Sequence, residues 1–175
     1  MEKILIVVDM QKDFVDGALG TKEAVEIVDL VAAKIDAFQG RIFVTLDTHG
    51  ADYLSTAEGK KLPVPHCIKG TEGWQLDEKV SQALKGKNYK AIEKITFGST
   101  KLVEEIRNIS KNGEIQMELV GLCTDICVVS NALLLKVNFP EAEIAVDAGC
   151  CAGVTPKSHE AALETMKMCQ IDVIG

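Results

Sequence analysis

Three side chains capable of acyl-transfer chemistry, Asp9, Lys94 and Cys127, stand far apart in the sequence. Asp9 and Lys94 each end a short stretch typical of a β-strand, and Cys127 falls in the first turn of a predicted helix. A helix N-terminus and a nearby ammonium group both favour the thiolate form of a cysteine, which is its nucleophilic form. A carboxylate close to that thiol can act as a general base. The same residues also fit a structural interpretation, as a helix cap, a solvated strand end and a core cysteine.

A second group of residues has the composition of a metal site. Asp47 and His49 are two positions apart, so in an extended segment both side chains point the same way. Glu58 and His66 follow in one long segment rich in glycine, proline and polar residues. Mixed nitrogen and oxygen ligands suit Zn²⁺, Fe²⁺ or Mn²⁺. The spacing therefore predicts a metal site and leaves a merely solvated pair of histidines as the alternative.

Apolar runs and helical patterns alternate along the chain, and their order indicates how the reactive residues are brought together. Strands are predicted at 3–9, 41–47, 90–94, 114–122, 143–147 and 171–174, and the first two of them are expected to be buried. Helices are predicted at 23–38, 77–84, 100–109, 124–137 and 156–169, with a long irregular segment at 48–73. This alternation predicts an α/β fold, a Rossmann-like three-layer sandwich with a mainly parallel sheet and helices on both faces. We expect residues 1–175 to form a single domain, with the reactive residues at the carboxyl edge of the sheet.

Composition narrows the classes of function. The chain has 175 residues, a net charge of −7 and no basic cluster, which argues against nucleic-acid binding. Its apolar runs are too short to cross a bilayer, so we expect no membrane association. Six cysteines without a signal-peptide pattern indicate reduced thiols and a cytoplasmic location. The glycine-rich motifs that bind nucleotide phosphates do not occur in the sequence, which favours side-chain chemistry over dinucleotide binding.

Four segments of the sequence resemble the isochorismatase-like cysteine hydrolases and, within them, the nicotinamidases (pyrazinamidases). They are VVDMQKDF around Asp9, TLDTH with the later PVPHCIKGTEG, EKITFGST around Lys94, and VGLCTDICVVSNAL around Cys127. The segment AVDAGCCAGVTPKSHEAAL is similar to the closing strand and helix of the family. The likeness runs in order over nearly the whole chain, and the combination of the first and fourth segments is highly specific.

The resemblance implies that Asp9, Lys94 and Cys127 form a catalytic triad. Such a triad hydrolyses nicotinamide to nicotinate and ammonia through a cysteine thioester. The resemblance also implies a cis peptide bond between Leu122 and Cys123. The backbone N–H groups of Cys123 and Cys127 would then form the oxyanion hole.

The resemblance further implies a divalent metal, most often zinc with iron or manganese as alternatives, held by Asp47, His49 and His66. Glu58 fits an additional ligand that some members of the family have.

For the substrate ring, the resemblance points to Phe14, Phe97 and Leu122. Thr48 departs from the family, because many nicotinamidases carry an aromatic residue between the metal-binding aspartate and histidine. We expect a small-molecule amide as the substrate and a homo-oligomer as the assembly.

Two alternative hypotheses about the function stay open. One is a metal-free hydrolase of another small amide or of an N-carbamoyl compound, within the same superfamily. The other belongs to a different class, either a non-catalytic binding protein or a thiol redox sensor in which Cys123 resolves an oxidised Cys127.

Overall fold

A single parallel β-sheet forms the centre of the molecule in the computed structural model, which describes residues 2–110 and 115–175. Its strands are β1 (Glu2–Val8), β2 (Arg41–Asp47), β3 (Tyr89–Lys94), β4 (Ile115–Leu122), β5 (Glu143–Ala152) and β6 (Asp172–Ile174). They lie in the order β3-β2-β1-β4-β5-β6, and every neighbouring pair is parallel. The predicted α/β fold is confirmed. The predicted start of the fourth strand at Glu114 lies outside the described residues.

Helices cover both faces of the sheet. They are α1 (Lys12–Val15), α2 (Lys22–Ala37), α3 (Ala57–Lys61), α4 (Glu78–Ala83), α5 (Thr100–Ile109), α6 (Val129–Asn138) and α7 (Pro156–Met168). Buried side chains of α1, α2 and α4 pack in one apolar cluster, and those of α5, α6 and α7 pack in another. Within the described part of the chain, no helix is both long and apolar enough to cross a bilayer.

Strand β1 is the layer between these two clusters. Leu5 and Val7 belong to the cluster of α2, whereas Ile4, Ile6 and Val8 belong to the cluster of α5 and α6. Because successive side chains of a strand point to opposite faces, a continuous apolar run is what a strand covered on both sides requires. The continuous apolar run in the sequence is therefore explained by the position of β1 at the centre of the sheet.

Short helices interrupt the segment at 48–73, which the sequence predicted to be irregular. A 3-10 turn spans Tyr53–Ser55 and is followed by α3, whose first turn is capped by the Thr56 hydroxyl accepting from Gly59 N at 3.0 Å. Helix α1 was also not predicted. Helices of four or five residues are too short to show an apolar period, so a hydrophobic pattern does not reveal them.

Strand β5 is longer than predicted, because an irregularity interrupts its pairing with β4. Leu119 pairs with Val146, but Gly121 pairs with Cys151, so residues 147–150 stand opposite a single residue of β4. Within this irregularity the Asp147 carboxylate accepts from Gly149 N at 3.0 Å. A local hydrogen bond of this kind is typical of a turn, although the strand continues here. The predicted end at residue 147 was therefore wrong.

Gly121 lies in β4 at the closest approach of β4 to β1. Its φ is +116°, and a Cβ atom there would stand 2.1 Å from the carbonyl oxygen of Val8. Only glycine fits such a position. The chain leaves β1 towards β2 on one side and arrives at β4 on the other, so a crevice opens here at the carboxyl ends of the strands.

We predict that Gly121→Ala lowers the free energy of unfolding by about 2 kcal/mol or more, because the added methyl group meets backbone that cannot move aside. Gly149→Ala is the matched control in β5, since a Cβ there meets only the Asp147 carboxylate at 3.5 Å. Urea denaturation of the two variants beside the parent protein measures the difference. Equal stability of the two variants would contradict the close approach.

Candidate active site

Asp9 follows β1 directly and lies at the bottom of the crevice. Its backbone has φ +46°, and its side chain is fully buried. The Thr45 hydroxyl donates to Asp9 Oδ1 at 2.6 Å, which leaves Oδ2 for other partners. Oδ2 lies 2.7 Å from Lys94 Nζ, an ion pair without the alignment of a full hydrogen bond. One carboxylate oxygen is thus fixed by the protein and the other faces the reactive groups.

Lys94 ends β3, and its ammonium group connects the candidate reactive residues. Besides Asp9, Lys94 Nζ contacts Cys127 Sγ at 3.4 Å and Asp47 Oδ1 at 3.3 Å, and it donates to the Thr96 carbonyl at 3.0 Å. Only 2% of its side chain is exposed. The structure therefore brings Asp9, Lys94 and Cys127 together, as the sequence predicted.

Cys127 lies in a π-helical turn, Thr124–Val128, which leads into α6. The predicted helix at 124–137 therefore begins with a wider turn and becomes α-helical at Val129. The amides of Ile126 and Val128 both donate to the carbonyl of Cys123, at 3.1 and 3.0 Å. The peptide bond between Leu122 and Cys123 is cis, as the resemblance implied.

The electrostatic balance of the site favours a neutral thiol at rest. Burial raises the pKa of Cys127 well above its ordinary value, and the Asp9 charge raises it further, while Lys94 offsets part of the rise. Burial also raises the pKa of Asp9, although Lys94 counteracts this. The pKa of Lys94 is raised, because the attraction of Asp9, Cys127 and Asp47 outweighs the opposing effect of burial. Lys94 Nζ and Asp9 Oδ2, 2.7 Å apart, therefore lie next to a thiol whose raised pKa favours its protonated form.

The candidate metal ligands form one compact cluster beside this pair. Ligand atoms of Asp47, His49, Glu58 and His66 all lie within 4.8 Å of one another. Asp47 Oδ2 is 2.9 Å from His49 Nε2 and 3.5 Å from His66 Nε2. Glu58 Oε1 is 3.7 Å from both imidazole nitrogens. Two imidazoles and two carboxylates converging at these distances are a donor set that suits a divalent transition metal.

Neighbouring groups orient this cluster. His66 Nδ1–H donates to the Val64 carbonyl at 2.8 Å, so the lone pair of Nε2 is directed into the cluster. Gln11 holds the backbone of Asp47, donating to its carbonyl at 2.9 Å and accepting from its N–H at 2.7 Å. Although burial alone would raise the pKa of Asp47, the neighbouring imidazoles of His49 and His66 and the charge of Lys94 keep it well below its usual range. The carboxylate is therefore ionised and ready to bind a cation.

A cavity of about 830 Å³ lies beside the metal-ligand cluster, lined by Thr48, His49, Gly50, Thr56, Ala57, Glu58, Lys61, Leu62, Ile95, Thr96, Phe97 and Ile126. Among its lining residues, Ile95 and Ile126 are chain neighbours of Lys94 and Cys127. Of the residues predicted to bind the substrate ring, Phe97 lines this cavity directly. The Phe14 ring lies 5.4 Å from that of His66, so it packs against a candidate metal ligand. The Leu122 side chain is buried in the core on the α2 face and is not among the residues that line the cavity. Thr48 accepts from Trp74 Nε1 at 2.9 Å.

Three polar residues that support the site were not singled out from the sequence: Thr45, Gln11 and Asn131. Gln11 is part of the VVDMQKDF segment, so its motif offered a signal for it. Thr45 and Asn131 likewise lie within the quoted segments TLDTH and VGLCTDICVVSNAL, but a single polar residue in a strand or helix has no local signature of its own role. Apart from the Cys127 carbonyl, four residues before Asn131, their partners come from distant parts of the chain, which the sequence pattern does not reveal.

Comparison with known proteins agrees with this geometry. A family model described as the Isochorismatase domain matches residues 3–175. The nicotinamidase/pyrazinamidase from Bacillus subtilis is 29% identical over 100% of both chains, with a TM-score of 0.83. The pyrazinamidase of Pyrococcus horikoshii in complex with zinc is 26% identical over 99% of both chains, with a TM-score of 0.81. The pyrazinamidase/nicotinamidase from Streptococcus mutans is 27% identical over 99% of this chain and 100% of its own, with a TM-score of 0.83.

Comparison with curated protein sequences gave no match. The family model nevertheless spans nearly the entire chain, and the solved structures superpose over its full length. The six-stranded parallel sheet and its covering helices are those of isochorismatase-like nicotinamidases. This protein therefore belongs to the isochorismatase family of hydrolases.

Proposed function

We propose that this hydrolase cleaves nicotinamide to nicotinate and ammonia, with Cys127 as nucleophile. One observation carries the proposal: Lys94 Nζ contacts both Cys127 Sγ, at 3.4 Å, and Asp47 Oδ1, at 3.3 Å. The residues suited to covalent amide hydrolysis thus share one crevice with a cluster suited to a metal. In a nitrogen heterocycle that carries a carboxamide, the carboxamide would face Cys127 and the ring nitrogen would face the metal cluster.

In the proposed first half of the reaction, Asp9 Oδ2 accepts the proton of the Cys127 thiol. The thiolate sulfur attacks the carboxamide carbon, and the carbonyl electron pair moves onto its oxygen. The backbone N–H groups of Cys123 and Cys127 donate to that oxygen. Asp9 then gives its proton to the leaving nitrogen, the C–N bond breaks, ammonia departs, and a thioester links the acyl group to Cys127.

In the second half, Asp9 accepts a proton from a water molecule, whose oxygen attacks the thioester carbon. The C–S bond breaks, and the proton on Asp9 returns to the Cys127 sulfur. The product leaves as nicotinic acid, which gives its remaining proton to water and becomes nicotinate. Lys94 stays protonated throughout, since its ammonium group balances the carboxylate and the transient thiolate. The net charge of the three residues therefore changes little during the reaction.

Asp47, His49, Glu58 and His66 would hold the metal, and their nitrogen and oxygen donors fit a divalent ion such as zinc. When bound, the ion would supply a Lewis-acid contact for the ring nitrogen of the substrate. The protein's own contribution there is to orient the ring: Phe97 lines the cavity beside the cluster, and Phe14 packs against His66.

The competing readings are less well supported. A metal-free hydrolase of another amide or of an N-carbamoyl compound has no need of four converging ligand groups. A redox sensor needs an accessible thiol of low pKa, whereas Cys127 is buried and its pKa is raised. A non-catalytic binding protein has no use for an ion pair buried against a thiol.

Several expectations from the sequence are also part of the proposal. We infer that residues 1–175 work as one hydrolase domain, that the protein is a cytoplasmic homo-oligomer, and that its partner is a small-molecule amide rather than nucleic acid or a membrane. The net charge of −7 supports the exclusion of nucleic acid.

We predict that Cys127→Ala lowers kcat for nicotinamide by several orders of magnitude without unfolding the protein, because the covalent step is lost. Cys123→Ala is the matched control, since its proposed role belongs to the backbone, and it should keep most of the activity. Ammonia release and circular dichroism measure the two effects. An active Cys127→Ala variant would overturn the assignment of the nucleophile.

We predict that Asp9→Asn abolishes turnover yet makes Cys127 more reactive towards iodoacetamide at pH 7. The Asp9 charge raises the pKa of the thiol, so its removal lowers that pKa and increases the thiolate fraction. Alkylation should become about tenfold faster for each unit by which the pKa falls. Mass spectrometry identifies the labelled residue. Slower alkylation in Asp9→Asn would contradict the charge balance described for the site.

We predict about one divalent ion per chain, lost in His49→Ala and in His66→Ala. The third histidine of the chain, His159, is outside the cluster, so His159→Ala should keep its metal and serves as the control. Elemental analysis after dialysis measures the ion, and the KM for nicotinamide should rise where it is lost.

Full nicotinamide hydrolysis by protein that contains no metal would overturn the metal site. Absence of both the metal and the activity would favour the metal-free hydrolase of another amide or of an N-carbamoyl compound.

A further inference from the structure

Asn131, on the first turns of α6, joins two segments of the site that are far apart in sequence. Its side chain is fully buried. Asn131 Nδ2 donates to the carbonyl of Cys127 at 2.8 Å and to the carbonyl of Phe97 at 3.1 Å. Asn131 Oδ1 accepts from the N–H of Ser99 at 3.0 Å. One side-chain amide thus satisfies three backbone groups, two of them in the loop after β3 and one in the Cys127 turn.

The loop at 95–99 has few other anchors. Lys94 Nζ donates to the Thr96 carbonyl, and the Ser99 hydroxyl caps α5 by accepting from Leu102 N at 3.1 Å. The two large apolar side chains of the loop contribute little burial, since Ile95 is 81% exposed and Phe97 is 43% exposed. The position of the loop, and of Phe97 in particular, therefore depends on hydrogen bonds to its backbone, and Asn131 makes two of them.

We propose that Asn131 is a positioning residue that holds the loop at 95–99, and with it the Phe97 wall of the cavity, in register with Cys127. The inference rests on the proposed function for its kinetic consequence, because it assigns Phe97 to the wall against which the substrate ring lies. Asn131 itself does not touch the reacting atoms. Its effect is to fix the distance between the wall and the nucleophile.

The chemistry of the amide explains why asparagine suits this position. The three bonds require one acceptor oxygen and two donor hydrogens at the end of one side chain. A carboxamide supplies them and a carboxylate does not. Threonine in a helix can donate to the carbonyl four residues earlier, so Asn131→Thr retains the bond to Cys127 and loses both bonds to the loop. Asn131→Leu has a similar size and loses all three. The two variants separate the two connections.

Asn138 provides a matched control on the same helix. Its Nδ2 donates to the Leu134 carbonyl at 2.9 Å, four residues earlier, and its Oδ1 accepts from exposed Arg107 instead of from the loop. Asn138→Thr therefore makes the same exchange of side chains without touching the site.

The experiment measures nicotinamide kinetics of the metal-loaded Asn131→Thr, Asn131→Leu and Asn138→Thr proteins. We expect Asn131→Thr to raise KM about tenfold with kcat changed less than about threefold, and Asn138→Thr to leave both unchanged. Asn131→Leu should lower kcat as well, because the Cys127 turn is also released. An unchanged KM in folded Asn131→Thr, even with lower stability, would reduce Asn131 to a structural role and overturn the inference.

Hydrogen exchange of the Ser99 amide tests the same inference without a substrate. The bond to Asn131 should protect this amide in the parent protein and in Asn138→Thr, and the protection should be lost in Asn131→Thr. If the parent protein releases no ammonia from nicotinamide, the proposed function fails, and Ser99 exchange alone decides the inference about Asn131. Equal protection of Ser99 in all the proteins would overturn it.

Discussion

The buried ammonium group of Lys94 is the constraint on which the candidate site depends. A cation removed from water is costly unless opposite charge and hydrogen-bond acceptors surround it. Here the compensation comes from Asp9 at the end of β1, Asp47 at the end of β2, and the Thr96 carbonyl after β3. The strands must therefore end at the same level, and the parallel sheet is what aligns them. The thiol of Cys127 enters this arrangement from the opposite side of the crevice.

Asp47 links the metal-ligand cluster electrostatically to the reactive residues. One of its carboxylate oxygens faces Lys94, and the other faces His49 and His66. A cation bound among the histidines would draw on the same carboxylate that helps to balance the lysine. Gln11 fixes the backbone of Asp47 from both its N–H and its carbonyl, so this shared group has little freedom to move. The metal cluster and the reactive residues are thus coupled through the contact of Asp47 Oδ1 with Lys94 Nζ at 3.3 Å.

The reactive residues could be predicted from the sequence because they stand where strong signals end. Asp9 and Lys94 stand at the ends of predicted strands, and parallel strands bring their carboxyl ends to one edge. The supporting residues Thr45 and Asn131 were not singled out. The partner of Thr45 is 36 positions away, and two of the three partners of Asn131 are 32 and 34 positions away. The thiol's charge state also depended on the fold: its place near a helix start suggested a thiolate, but burial and Asp9 outweigh Lys94. Sequence pattern reports where strands end, whereas hydrogen-bond partners and burial follow from packing.

The strand order has a consequence for the chain as it is synthesised. Strand β1 is made first, yet it lies between β2 and β4, and β4 ends at Leu122. Until that point leaves the ribosome, one edge of a strand that is apolar from Ile4 to Val8 has no neighbouring strand to pair with. Such open edges are the usual starting points of misassembly in nascent chains. The end of β1 that leads into Asp9 is therefore open on one side until β4 has been made.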